Sequence, residues 1–426
     1  MAFEMDEMKK RRLQREQKQQ ERLQREKKGR RRILIAIAVL VVCGALILGF
    51  ALMMRQSSQG GTTQPTTEAL QTQPPETTGV PKGKTVIHIA AAGDLNITDR
   101  VVAAGGTLYD YTRAFMDVTP LLSEADLTVL NLEGNLCGPP YGSNSAPVQM
   151  LTALKQAGVD MVQLANSKTI SQGFSGFQST LRAVKESGLV GLGAYETEAE
   201  FRKSGGYTMY EIQGVKVAFV AFTKGMDNMA LPVGSESCVN LLYTDYSSTY
   251  KKIDTQGITR ILKNVKKEKP DIIIALLHWG SEYNDNHSDT QEKVRKLMQS
   301  EGVDVIIGTH PHLLQEIVYD ETTGSFVAYS LGDFFGDATR AGTEYSIVLD
   351  LEITKDHATG ETRVTNYSYT PIFTREDANG LLRVVRLRET MDDYEDMHVG
   401  AVTEDTYNSM VYGLSRIEYR IHKKAK

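Results

Sequence analysis

Asp-Val-Ile-Ile-Gly-Thr-His-Pro-His-Leu-Leu, residues 304–314, is a short apolar run that stops abruptly at Gly308. Its β-branched residues are those of a buried strand, and the two imidazoles after it, His310 and His312, flank Pro311, whose φ is fixed. In open α/β sheets ligands collect beyond the carboxyl ends of the strands. Two imidazoles presented there to one point have the geometry of a metal site.

Outward from this stretch the chain alternates. Strands are expected over Thr85–Ala92, Leu127–Leu132, Asp160–Ala165, Asp271–Leu277 and Val303–Ile307, with helices over Tyr111–Ser123, Met150–Ala157, Gly176–Ser187, Gly257–Lys269 and Thr290–Ser300. Gly206–Ile212 and Val215–Phe222, separated by Gln213-Gly214, form a hairpin. Phe326–Leu331, Ser346–Ile353 and Glu361–Tyr369 close the series. Strands alternating with helices make a layered α/β domain, and a last helix is expected over Thr403–Ile421.

The first part of the chain is of another kind. Residues 1–32 carry 13 Lys and Arg against 6 Asp and Glu, so the rest of the chain, with −5 overall, carries −12. Ile33 to Met54 runs without a charge, about 33 Å of helix against a hydrocarbon core of roughly 30 Å. It is expected to be a transmembrane helix acting as a signal-anchor; a cleaved signal peptide competes, but its apolar region is usually shorter. The positive-inside rule puts the arm in the cytoplasm, against anionic lipid, and everything after Arg55 outside. Residues 55–83, rich in Ser, Thr, Gln, Pro and Gly, are a flexible extracellular linker. The expected layout is therefore arm 1–32, span 33–54, linker 55–83, domain 84–375 and a helical extension over 376–426. Of three cysteines, Cys43 lies in the apolar segment; Cys137 and Cys238 are expected to be free, buried thiols.

Several expected strands end in a residue able to hold a cation: Asp94, Glu133, His278, then His310 and His312. Each has a plain alternative, since Asp94 can cap a turn and His278 can be a hydrogen-bonded core histidine. Together, two carboxylates and three imidazoles suit Mn, Fe or Zn. Asp333, in Ser-Leu-Gly-Asp-Phe-Phe, can handle a proton or orient a neighbour. His88, His287, His357, His398 and His422 fall at no comparable strand end and are expected to be structural or surface residues.

Ala-Ala-Ala-Gly-Asp-Leu at 90–95, Asn-Leu-Glu-Gly at 131–134, Leu-His-Trp-Gly-Ser-Glu-Tyr at 277–283, Gly-Thr-His-Pro-His at 308–312 and Tyr-Ser-Leu-Gly-Asp-Phe at 329–334 stand in one order. This series resembles the CapA family, also called PgsA, of capsule and poly-γ-glutamate synthesis proteins. The resemblance implies a four-layer α/β/β/α sandwich of the metallo-dependent phosphatase kind, preceded by one transmembrane helix. It also implies a role in making, exporting or anchoring an anionic cell-surface polymer, alongside other components of a membrane synthesis complex. No nucleic-acid partner is expected.

One motif departs from the family pattern. Where the family resembles Ala-Asn-Asn-His followed by Asp and Gly, this chain has Ala165-Asn166-Ser167-Lys168, then Ser171 and Gly173. An ammonium has donors but no lone pair, so Lys168 beside Asp94 and Glu133 is expected to weaken metal binding to one ion or abolish it. Two classes of function follow: a metal-dependent hydrolase with Lys168 or Asp333 moving protons, or a non-catalytic scaffold. A net −12 repels polyanions in bulk, so contact with one must be local.

Overall fold

The computed structural model describes residues 83–398 and 402–422. The expected arm, apolar span and linker up to residue 82 lie outside them, as does the Lys-rich end after His422. Among the described residues no helix is long and apolar enough to cross a membrane.

In chain order, β1 (Lys84–Asn96), β2 (Leu127–Glu133), β3 (Met161–Gln163) and β4 (Val190–Leu192) come first. A hairpin follows, β5 (Thr208–Ile212) and β6 (Val215–Thr223), then β7 (Ile272–His278), β8 (Val305–Thr309), β9 (Ile317–Asp320) and β10 (Ser325–Ala328). β11 (Asp333–Phe335), β12 (Tyr345–Asp356), β13 (Thr362–Glu376) and β14 (Leu382–Arg386) complete the set. They form two sheets, one in the order β14-β13-β12-β1-β2-β3-β4 with β11 also on β1, the other in the order β5-β6-β7-β8-β10-β9. β1 to β4 run parallel, and so do β6, β7, β8 and β10.

Strand alternation explains why the sheets stack. Ile87, Ile89 and Ala91 of β1 point into a core shared with Val217, Phe219, Ile274 and Ile307 of the second sheet. Ala90 and Ala92 face the other way, toward Leu122, Leu154 and Phe177 of the helices. On the far side of the second sheet, Ile258, Ile261, Val265 and Val294 cover Ala218, Val220 and Ala275. The helix Thr255–Lys267 is capped by Asp254, and Asp289–Ser300 starts in a capping box between Ser288 and Gln291. Such caps stabilise a helix by about 1 kcal/mol.

At the amino ends of the parallel strands, four aspartates repeat one arrangement. The Asp126 N–H donates to His88 O at 2.9 Å while its carboxylate accepts from His88 N–H at 2.8 Å. Asp160 does the same with Thr128, Asp271 with Lys216 and Asp304 with Ile273. Each satisfies a main-chain donor where the neighbouring strand has outrun its ladder.

The structure differs from expectation in places. In place of one helix over Tyr111–Ser123 there are two, Thr112–Phe115 and Thr119–Ser123, because Pro120 can start a helix but not continue one. Phe326–Leu331 is a shorter strand, and Asp333 opens β11 rather than ending a strand. β13 runs on to Glu376 and β14 adds an edge strand, so the chain beyond 375 is not helical throughout. Its helices are Leu387–Glu395 and Glu404–His422. Cys137 and Cys238 are free, Cys238 buried as expected and Cys137 only half-buried.

Candidate metal centre

Two close approaches shape the carboxyl edge. A Cβ on Gly93 would stand 1.8 Å from Gly332 O, so glycine alone lets β1 bulge against the turn before β11, and Asp94 N–H donates to that oxygen at 3.0 Å. A Cβ on Gly308 would meet Tyr329 O at 2.0 Å. Immediately beyond, His310 and His312 have φ of 93° and 58°. Positive φ in a non-glycine residue costs about 1–3 kcal/mol and persists only where surroundings enforce it. Here it turns both imidazoles back over the strand ends.

Asp94, Glu133, His278, His310 and His312 are all buried, and they meet. Ligand atoms of Glu133, His278 and His310 lie within 4.8 Å of one another, as do those of Asp94, Glu133 and His312. Glu133 ends β2 in one sheet and His278 ends β7 in the other, yet Oε1 and Nε2 are 3.5 Å apart. The two sheets therefore share one site.

The two groups differ in what their atoms already do. Asp94 accepts from Asn131 Nδ2 at 2.6 Å and from His310 N–H at 3.0 Å, and His312 Nδ1 is 2.7 Å from Asp333 Oδ1. Three atoms of the first group's residues are left over: Glu133 Oε2, His278 Nε2 and His310 Nδ1 are buried with no hydrogen-bond partner, Glu133 being shared with the second group. Buried polar atoms are nearly always satisfied. One carboxylate oxygen and two imidazole nitrogens orphaned together are a donor set that fits a divalent transition metal.

Charge follows the packing. Burial, with the neighbouring Glu133 second, pushes Asp94 well above the usual carboxylate range. Burial alone would also raise Glu133, but the imidazoles of His278 and His312 outweigh it and hold the group ionised. Burial lowers His278, against the pull of Glu133, and lowers His310 well below the usual imidazole value, the direction of the neutral ring that a metal ligand must offer. His312 goes the other way, because Asp333 and Glu133 overcome its burial. Its Nδ1 hydrogen bond to Asp333 leaves Nε2 facing Glu133 Oε2, 3.9 Å away.

Both residues nominated for proton transfer are engaged. Asp333 orients His312. Lys168, expected beside Asp94 and Glu133, instead sends Nζ to Asp227 Oδ2 at 2.5 Å, with 23% of its side chain exposed. That ammonium pairs directly with a rim carboxylate, and Glu133 attracts it more weakly. Ser167 Oγ donates to Glu133 Oε1, and Ser171 Oγ to Asn135 Oδ1 at 2.9 Å.

Three residues at the site were not anticipated. Asn131 reaches from Asp94 to within 3.4 Å of His278 Nδ1, and Asn166 donates to Asn131 Oδ1 at 3.1 Å. Lys224 Nζ donates to Gly280 O at 2.9 Å and lies 3.2 Å from His310 Nε2. Ligation through His310 Nδ1 puts the ring proton on Nε2, where an uncharged amine accepts it and an ammonium does not. Burial lowers the Lys224 pKa, the direction this requires. Lys224 follows the end of β6, so the strand-end reading that found Asp94 and His278 had the signal for it.

The remaining imidazoles are structural where described: His88 bonds Asp350, His287 pairs with Glu316, His357 bonds Thr85, and His398 bonds Asp393.

A family model described as bacterial capsule synthesis protein PGA_cap matches residues 88–338, which include every site residue named above. Over 215 residues the chain is 30% identical to the capsule biosynthesis protein CapA of Bacillus anthracis, covering 50% of this chain and 49% of that one. Over 222 residues it is 27% identical to the PGA biosynthesis protein CapA of Bacillus subtilis strain 168, covering 51% and 53%. The chain thus spans about half the length of the curated relatives it matches. A solved structure described as a novel phosphatase from Mycoplasma pneumoniae aligns at a TM-score of 0.41 and 14% identity, over 68% of this chain and 94% of that one.

Proposed function

The chain belongs to the PGA_cap family of bacterial capsule synthesis proteins, and from that membership we propose that it acts in capsule or poly-γ-glutamate biosynthesis through a divalent metal centre. The observation that carries this reading is the trio of orphaned atoms, Glu133 Oε2, His278 Nε2 and His310 Nδ1. We read the stacked sheets and their helices as the metallo-dependent phosphatase-like, four-layer α/β/β/α sandwich. The membrane anchor at 33–54 and an extracellular domain belong to the same proposal.

In this reading Glu133, His278 and His310 hold one Mn, Fe or Zn ion. When bound, the ion supplies Lewis acidity toward a phosphoryl or acyl oxygen. Asn131 fixes Asp94, and Asp333 orients the His312 ring. Tyr283 stacks on His312 at 5.5 Å, with the Arg340 guanidinium 3.9 Å from its ring centre. The Arg340 guanidinium supplies local positive charge of the kind a polyanion needs on a domain whose net charge repels it. The reaction class is hydrolysis or transfer at an ester or amide bond of the cell-surface polymer.

One observation favours a scaffold that binds polymer without catalysis: Lys168 and Asp333, the candidate proton carriers, are both held by partners. Surface polymer measured in cells whose only copy carries His310→Ala tests the proposal. A fall to the level of cells lacking the protein is expected; unchanged polymer contradicts a role for the metal centre in either form. Release of polymer fragments by the purified full chain then separates hydrolase from scaffold.

A further inference from the structure

The hairpin of β13 and β14 lies beyond residues 88–338 and carries its own cluster of charge. Arg375 and Arg383 are direct partners across this ladder. Like charges placed opposite one another destabilise a strand pair. Arg386, at the start of the helix Leu387–Glu395, joins them in lining a cavity of about 210 Å³ beside Asp117 and Thr390.

The acids nearby are already committed. Asp117 Oδ2 takes Arg383 Nη2 at 2.5 Å, Glu389 Oε1 takes Arg386 Nη1 at 3.1 Å, and Asp393 holds His398 Nδ1 at 2.9 Å. Arg375 Nη1 donates to Glu376 O at 2.9 Å. What is left over is the same atom three times: the Nε–H of Arg375, of Arg383 and of Arg386 is buried with no acceptor among the described residues. An orphaned buried donor costs about 1–3 kcal/mol, more when charged. Three guanidinium groups, each with an unmet donor, line one small cavity, a setting for an acceptor that enters it.

We propose that this cavity is a second binding site, separate from the metal centre, for a compact oxyanion, either a carboxylate or a phosphate. The guanidinium fork matches either group in geometry and charge. The cavity is smaller than the roughly 300–1,000 Å³ of ordinary small-molecule sites, so it takes an anionic head with the rest of its molecule left outside. Burial, with Arg383 second, lowers the Arg375 pKa, which marks a charge in want of a counter-charge. A site of this kind gives an otherwise acidic domain a grip on one anionic group at a time.

Calorimetric titration of the full chain with inorganic phosphate, and separately with a short γ-linked glutamate oligomer, tests this. At least one titrant is expected to bind, with Kd raised at least tenfold by Arg375→Met while metal content stays unchanged. The tighter titrant identifies the anion as phosphate or carboxylate. Should Arg375→Met fail to fold, Arg386→Gln is held to the same tenfold criterion. Binding of neither titrant, or equal affinity in wild type and variant, overturns the proposal; anion bound at the metal centre would survive these substitutions and so count against it.

Discussion

At the amino edge of the sheets Asp126, Asp160, Asp271 and Asp304 each exchange a pair of hydrogen bonds with the neighbouring strand. At the carboxyl edge Glu133, His278 and His310 each leave a buried atom with nothing to bond. β8 joins the two conditions, with Asp304 before its first residue and His310 just beyond its last. Acidic residues occur at both edges, and residue type alone does not separate them. Satisfaction does: a carboxylate whose oxygens close main-chain bonds holds the sheet together, whereas one with a buried free oxygen awaits a ligand.

The largest expected effect strikes the carboxyl edge alone. His310→Ala should weaken metal binding by more than about 100-fold, beyond the 10–100-fold typical of losing an outer partner. Its urea midpoint without metal should stay near wild type, because the lost ring has an orphaned nitrogen. Metal retained by His310→Ala would dissolve the distinction between edges.

Asp304→Ala should do the reverse. Removing the acceptor of the Ile273 N–H should cost about 1–3 kcal/mol in urea unfolding, with metal content unchanged. Loss of metal together with stability would mean that β8 transmits strain from one edge to the other.

How much of this could be read from sequence varied with its physical origin. β7 and β8 were legible because buried parallel strands are continuous apolar runs, and Gln213-Gly214 announced its hairpin. β14 was hidden because Leu382, Val384 and Val385 are interleaved with Arg383 and Arg386, so a buried edge strand resembles a charged loop. The five residues that meet at the site were legible as polar residues closing apolar runs. The direction of Lys168 was not, since its partner Asp227 is 59 residues away and reaches it only through the fold. Nor was the role of Asn131, because Glu133, two residues on, by itself accounts for the polar end of that apolar run.

A smaller effect is expected from Lys168→Ala. A half-exposed ion pair contributes about 0–1 kcal/mol, and metal affinity should change less than about threefold, or under 0.7 kcal/mol. Metal binding strengthened tenfold or more would show that Lys168 does compete with a cation at the ligands.

The smallest effect contrasts imidazoles. The hydrogen bond to Asp350 raises the pKa of His88, at the amino edge. The folded state therefore holds that proton more tightly than the unfolded chain. The resulting stabilisation is complete below the unfolded value of about 6.5 and is lost as pH rises through the raised folded value. His88→Gln should flatten this slope in urea midpoints taken across that window; an unaltered slope would mean that the pair contributes nothing.

The most direct test is the metal content of the purified full chain after saturation in turn with Mn, Fe and Zn and removal of loosely bound ion. About one tightly held divalent ion per chain is expected, absent from His310→Ala. A wild-type chain that retains none of the three would contradict the metal centre itself.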